Sequence, residues 1–191
     1  TGTGAPNSGA FGSNHGIHIS ESLILADGSL SLTGTAGGGN STGVGNHGVS
    51  ISQSVVEGTG AGVVTITGTG GGQEDDQGLL NNEGISVTGG STIRSGTGPL
   101  TLVGERGPGS NSEDIAVESG DNTLGGNTQS GNITLRGDIL YFTETQTINT
   151  AGAATIEPRS SVFTGSLTGT ISNITFTRVS ALTLGKAGNT S

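Results

Sequence analysis

A short motif returns several times along this chain and constrains its fold more than any other feature. Residues 14–20 read NHGIHIS, residues 46–52 read NHGVSIS and residues 82–88 read NEGISVT. The spacing from Gly16 to Gly48 is 32 residues, and from Gly48 to Gly84 it is 36. Each copy continues with two more short apolar runs and a glycine-rich loop, and a more divergent fourth copy begins near residue 115. Three strands and a loop per repeat predict one coil of a parallel β-solenoid.

Period-two alternation within the motif assigns the inner face of each coil. In residues 17–19, Ile17 and Ile19 point inward while His18 points outward. Because one coil cannot bury its own apolar face, it has to stack on its neighbours about 4.8 Å away. The expected inner ladders consist of Ile17, Val49 and Ile85, and of Ile19, Ile51 and Val87. About six coils are predicted, which gives a stack roughly 30 Å long.

The unusual composition agrees with a narrow tube rather than a thick globular core. Glycine supplies 39 of 191 residues, hydrophobic residues make up 29%, and Cys, Met and Trp are absent. Glycine permits sharp corners between strands, and short ladders of Val, Ile, Leu, Ser and Thr fill a thin interior. Glycine and β-branched residues also disfavour helix throughout. The composition therefore favours an all-β parallel β-helix with almost no helix.

The predicted domain organisation is a single solenoid over residues 1–191, in two parts of different character. Residues 1–135 form glycine-rich repeat coils, with loops 34–46 and 68–82 projecting outward. Residues 136–191 are rich in Thr and are expected to form further coils with longer strands, one of them at Val162-Phe163. No linker-like segment separates the two parts, so we expect one continuous stack.

Several stretches resemble the large exoproteins of the filamentous haemagglutinin type, which are found on bacterial surfaces. The similarity rests on the Gly-Ile-x-Ile-Ser coils and on residues 133–139 (ITLRGDI), 154–159 (ATIEPR) and 184–190 (LGKAGNT). It covers most of the chain, and none of its motifs is an active site. The resemblance implies a right-handed β-helix, located outside the cell, that serves as a stalk or adhesive shaft.

Charge and composition exclude several classes of partner. Asp and Glu exceed Lys and Arg by 15 to 6, so the formal net charge is −9, which disfavours nucleic acid. No apolar run approaches the ~20 residues of a membrane span. The six basic residues are scattered, and the single Tyr offers little aromatic surface for stacking sugars. We therefore expect no enzymatic activity and no catalytic residues.

Stacking of equivalent positions brings three polar residues into one column, because His15, His47 and Glu83 precede the same glycine in successive copies. Two imidazoles and a carboxylate could ligate Zn²⁺, although solvated turn residues are the simpler interpretation. The acidic run in the second long loop could bind Ca²⁺. That run consists of Glu74, Asp75 and Asp76. A solvated loop is again the simpler interpretation, so neither a metal nor another cofactor is expected.

The neighbouring column consists of Asn14, Asn46 and Asn82. Amide side chains stacked at the coil spacing can hydrogen-bond to one another along the axis. This column is therefore predicted to form a structural ladder rather than a binding site.

The sequence thus favours a non-enzymatic structural or adhesive segment of a large secreted or surface exoprotein. Its expected partners are a host or neighbouring cell surface or an extracellular polysaccharide, with end-to-end self-association through open strand edges. One alternative is a self-assembling subunit of an extracellular filament or sheath, and another is a β-helix that binds or degrades polysaccharide. An ice-binding solenoid is a further alternative, but Thr-x-Thr does not recur in every copy.

Overall fold

The chain folds as a β-solenoid in which three parallel sheets run along one axis. The computed structural model describes residues 1–4, 13–37, 45–72, 81–109, 111–164 and 171–186. Within these ranges there are 18 strands, numbered here in chain order, and helical geometry is confined to residues 171–172. The all-β, parallel and nearly helix-free fold predicted from the repeat is confirmed.

Every full coil contributes one strand to each sheet, in the order B, C, A along the chain. Sheet A stacks β1 (Gly2–Thr3), β4 (Leu30–Thr35), β7 (Val64–Thr69), β10 (Leu100–Glu105), β13 (Ile133–Arg136), β16 (Ala153–Glu157) and β18 (Ala181–Leu184). Sheet B stacks β2 (Ile17–Ser20), β5 (Val49–Ser52), β8 (Ile85–Thr88), β11 (Ile115–Glu118) and β14 (Leu140–Phe142). Sheet C stacks β3 (Leu23–Ala26), β6 (Val55–Gly58), β9 (Thr92–Ser95), β12 (Thr123–Gly125), β15 (Gln146–Asn149) and β17 (Ile174–Thr177).

The inner face of each sheet is a ladder of apolar side chains, most of them aliphatic, in register. In sheet B, Ile17 pairs with Val49, which pairs with Ile85, and the next inward positions pair Ile19 with Ile51 and Ile51 with Val87. From the second coil onward these side chains have no solvent exposure. The interior is a single apolar column, so any polar site has to lie at a corner or on an outer face.

The stack has about five complete coils rather than the six predicted. The first is β2–β3–β4 and the fifth is β14–β15–β16, and partial coils adjoin both. Val162 and Phe163, predicted to form a strand, are not in a strand: Val162 lies in a bend and is 58% exposed. Asp138 accounts for the bend because its side chain accepts the Ser160 N–H at 2.7 Å and its carbonyl accepts the Thr164 N–H at 3.0 Å.

The expectation of longer strands after residue 136 is wrong. Strands β14 to β18 span three to five residues, whereas β4, β7 and β10 span six each. In the early coils the sheet A strand continues through a glycine and one further residue, for example Gly68 and Thr69. After β13 the Asp114 carboxylate accepts the N–H groups of Asp138 and Ile139. These bonds turn the backbone away from sheet A, so β13 ends at Arg136 without the two-residue extension seen in β4, β7 and β10.

Candidate functional site

The corner that precedes sheet B carries a column of imidazole and carboxyl side chains. The column consists of His15, His47, Glu83 and Glu113, one from each of the first four coils. Its alignment is fixed by the backbone, because the N–H of the residue after each member donates to the carbonyl of the next member at 3.0–3.1 Å. The structure thus brings His15, His47 and Glu83 together, and it adds Glu113.

A glycine follows each of the first three members and lets the chain turn tightly there. A Cβ built on Gly48 would overlap the backbone nitrogen of Thr69, at the end of the sheet A strand. Gly84 is equally crowded by the backbone of Glu105. This close approach of two backbones holds the preceding side chain at the corner, facing outward.

The upper part of the column is a stack of imidazole rings. The rings of His15 and His47 lie 4.9 Å apart at an angle of 16°, and the ring of His18 packs against His15 at the same distance. The backbone N–H of His47 donates to Nδ1 of His15 at 3.3 Å. Burial, and then the neighbouring His47 and His18, lower the pKa of His15 to about 4. His15 is therefore uncharged at neutral pH.

The lower part of the column is a group of crowded carboxyls. Glu83 is 3% exposed, and its Oε2 contacts Nδ1 of His47 on one side. On the other side its carboxyl shares a hydrogen bond with Glu113. Burial, and then the charges of Glu83 and Glu118, raise the pKa of Glu113 to about 7, against the smaller opposing effect of Arg106. Burial, followed by the charge of Glu83, also raises the pKa of Glu118. Near neutral pH the Glu113 carboxyl is therefore about half protonated, and its proton is shared with Glu83.

These carboxyls open into a cleft of about 410 Å³ on the outer side of sheet B. The cleft, called the acid cleft below, is lined by Asn81, Glu83, Asn111, Glu113, Glu118 and Tyr141. Tyr141 is 43% exposed, so part of its side chain is accessible from the cleft. Amides, carboxyls and a phenol together present both donors and acceptors to a polar ligand.

Metal ligation receives no support from the geometry of the column. Among the residues that the structure describes, no group of three or more His, Asp or Glu side chains is arranged to hold a metal ion. His47 uses Nδ1 to contact Glu83, so the predicted candidates make contacts with one another instead. The other candidates, Glu74, Asp75 and Asp76, lie outside the described residues.

The asparagine column lies beside the acid cleft and forms hydrogen bonds along the axis. The backbone N–H of Asn14 donates to Oδ1 of Asn46 at 3.0 Å, and that of Asn46 donates to Oδ1 of Asn82 at 3.2 Å. The Asn46 amide also donates to Asn82 Oδ1 at 3.1 Å, and Ser112 Oγ continues the series by accepting the Asn82 N–H. Asn46 and Asn82 have no solvent exposure, so their amides stabilise the corner rather than face a ligand.

A second polar ladder, at the corner between sheets B and C, was not anticipated from the sequence. It runs through Ser22, Ser54, Ser91, Asn122 and Gln146, and each side chain after the first accepts the backbone N–H of the member in the preceding coil. The residue type changes from Ser to Asn to Gln along this ladder, so no repeated letter marks it. Only its place after the sheet B strand is constant.

Most of the acid cleft was also missed by sequence reasoning. Glu113 could have been predicted from the sequence, because it occupies, in the fourth copy of the motif, the position that His15, His47 and Glu83 occupy in the first three. No sequence pattern marks Glu118 and Tyr141, since they are outward residues on two adjacent strands of sheet B. Their convergence depends on the stacking of coils.

Comparison with known proteins adds no relative. No protein-family model, no curated protein and no solved structure matches this chain. In the described part of the chain, no helix has the length and apolar character needed to cross a membrane.

Proposed function

We propose that this chain is a structural and adhesive segment of an extracellular bacterial exoprotein, and that the acid cleft contacts a surface polysaccharide. The observation that carries the proposal is the polar cleft on the outside of a stack whose interior is fully packed. Each coil hydrogen-bonds to the next through three sheets and through ladders at the corners. Such a stack is a rod that holds an outward site at a set distance from its attachment.

The chemistry of the acid cleft suits a hydroxyl-rich ligand. The amides of Asn81 and Asn111 donate and accept, and the carboxyls of Glu113 and Glu118 supply further oxygen acceptors. The exposed ring of Tyr141 offers an apolar face against which a sugar ring can pack. The net charge of −9 disfavours acidic polysaccharides. The expected partner is therefore a neutral or amine-bearing polysaccharide.

Binding to immobilised neutral, amine-bearing and acidic polysaccharides tests this proposal. We expect Tyr141→Ala to weaken binding at least about tenfold, which corresponds to about 1.4 kcal/mol. The control Leu25→Ala removes a side chain that is 58% exposed on sheet C and should bind as the wild type does. Failure to bind any neutral or amine-bearing polysaccharide would overturn the proposal, as would unchanged binding by Tyr141→Ala. Release of new reducing ends would instead identify a polysaccharide-degrading enzyme.

Exposed apolar side chains on edge strands favour a second candidate function, a subunit of an extracellular filament. On the edge strand of sheet A, Leu182 and Leu184 are 44% and 51% exposed, and Leu184 lines a cleft of about 480 Å³. On the edge strand of sheet C in the first coil, Leu23 and Leu25 are 62% and 58% exposed. Unpaired edges with apolar side chains are surfaces on which another strand can add.

Sedimentation at rising protein concentration distinguishes the filament from the rod. A filament subunit should sediment as a series of larger species, and Leu184→Lys should return it to the monomer. Val63→Lys is the matched control, because Val63 is 40% exposed but lies before β7 in the second coil. A wild-type chain that stays monomeric at all concentrations would exclude the filament.

A further inference from the structure

The outer face of sheet A carries one hydroxyl side chain per strand in unbroken register across six strands. Its members are Ser31, Thr65, Thr101, Thr134, Thr155 and Thr183. The intervening residues point into the core, so these six side chains all face outward. The intervals between its members vary from coil to coil, and the register of the strands aligns them.

Two further columns adjoin it in the first coils. Thr33 pairs with Thr67, and Thr35 pairs with both Thr3 and Thr69. The resulting threonine grid comprises Thr3, Ser31, Thr33, Thr35, Thr65, Thr67, Thr69 and Thr101. It contains no charged and no aromatic side chain, and it ends where Val103 and Glu105 follow Thr101 on β10. The grid is thus a neutral surface with eight hydroxyls on four adjacent strands.

The grid is regular in both directions. Adjacent strands repeat at about 4.8 Å, and alternate residues along a strand repeat at about 6.6 Å. The register of β4, β7 and β10 continues through six residue pairs without a bulge, so these spacings hold across the surface. Threonine is β-branched and has restricted χ1 freedom, so the orientation of its hydroxyl and methyl groups is largely set before any ligand arrives.

A two-dimensional array of this kind fits a ligand that is itself a lattice. Each hydroxyl donates one hydrogen bond and accepts others, as a water molecule does. Each methyl group covers the space between hydroxyls without competing for those bonds. The oxygen atoms on the faces of hexagonal ice repeat at distances in the same range as the two grid spacings. A protein partner would require charged or aromatic anchors, which the grid does not offer.

We propose that the threonine grid orders water into a lattice and binds the surface of ice. This inference is independent of the polysaccharide proposal, since the acid cleft lies on sheet B and the grid lies on sheet A. Binding should slow the growth and recrystallisation of ice at protein concentrations that leave the bulk freezing point unchanged.

The test measures thermal hysteresis and the inhibition of ice recrystallisation by the wild type and by Thr67→Lys, which places a charge in the middle of the grid. We expect recrystallisation inhibition to require at least tenfold more of the variant. Thr147→Lys is the matched control, because Thr147 lies in an outer threonine column of sheet C. The column next to it includes the ion pair of Glu57 and Arg94, so that face is not a neutral grid.

Circular dichroism and thermal melting establish that the variants are folded. Should Thr67→Lys fail to fold, Thr33→Lys takes its place, since Thr33 is exposed on the first coil. Absence of thermal hysteresis and of recrystallisation inhibition in the wild type would overturn the proposal. Equal loss of activity in the sheet A and sheet C variants would also overturn it, because the effect would then not belong to the grid.

Discussion

Coils one to three and coils four and five share one backbone path but differ in what they present outside. In coils one to three the corner before sheet B has a glycine, and in coils one and two the outer face of sheet A is neutral. In the later coils Asp114 and Ile139 occupy that corner, and the same face carries the ion pair of Arg136 with Glu157. The inner residues remain apolar throughout. Stacking therefore constrains the inside of every coil, while each outer face is free to acquire its own chemistry.

The largest effect should come from removing the early type of corner. In Gly48→Ala the new methyl would overlap backbone atoms of Thr69 and Gly84, neither of which can move without breaking the stack. We expect the free energy of unfolding to fall by about 3 kcal/mol or more, measured by chemical denaturation. Gly90→Asn is the control, because Gly90 has φ of 76° and open space around its Cβ position, and Asn tolerates that backbone region. A Gly48→Ala protein as stable as the control would show that backbone contact does not set this corner.

A smaller loss should follow from removing the later type of corner. Asp114 is 4% exposed, and its carboxylate accepts N–H groups from Arg106 at 2.8 Å, from Ile139 at 2.9 Å, and from Asp138. In Asp114→Ala these donors lose their partner, and we expect a loss of about 2 kcal/mol in the free energy of unfolding. Asp114→Asn keeps one acceptor oxygen and should recover part of it. If both variants matched the wild type, the carboxylate would not hold the late corner.

In the imidazole–carboxyl column, the contributions of Glu113 and His15 to the stability of the fold should depend on pH in opposite directions. The pKa of Glu113 rises from 4.5 to about 7 on folding, so its ionised form is disfavoured in the folded state. Its contribution to stability is full below pH 4.5 and is lost as the pH rises to about 7. The pKa of His15 falls from 6.5 to about 4, so its contribution is full above pH 6.5 and is lost as the pH falls to about 4.

Stability measured between pH 4 and pH 8 separates the two halves of the column. Glu113→Gln should flatten the loss of stability on the alkaline side, leaving the part due to Glu118. His15→Gln should flatten the loss on the acid side. Profiles that are parallel to the wild type in both variants would contradict the assignment of these groups.

The smallest effect concerns the corner after sheet B, which is common to both regions. Ser119 has φ of 48°, in the left-handed region, where Gly89 stands in the preceding coil with φ of 71°. Ser119→Gly should raise the free energy of unfolding by about 0.5 kcal/mol, because glycine adopts this backbone without steric cost. Ser52→Gly, within β5, should lower it by a similar amount. Destabilisation by Ser119→Gly would indicate that the side chain matters more than the backbone.

The repeat by itself determined the stacking of this protein. Gly16, Gly48 and Gly84 occur at intervals that can only be matched by coils, and alternation around Ile17 and Ile19 assigns their inner face. The alignment of His15, His47 and Glu83 follows from the same spacing. These features are local or periodic, so they can be recognised in a single amino-acid sequence.

The tertiary structure alone decided the number of coils, the acid cleft and the threonine grid. Tyr141 lies beside Glu118 only because β14 stacks on β11, and Thr65 meets Ser31 and Thr101 across loops of unequal length. The bend that ends sheet B depends on hydrogen bonds from Ser160 and Thr164 to Asp138. Outer positions are not held to an apolar pattern, because solvent accepts almost any residue there. The groups that these outer side chains form can therefore be recognised only in the folded structure, where neighbouring coils bring them side by side.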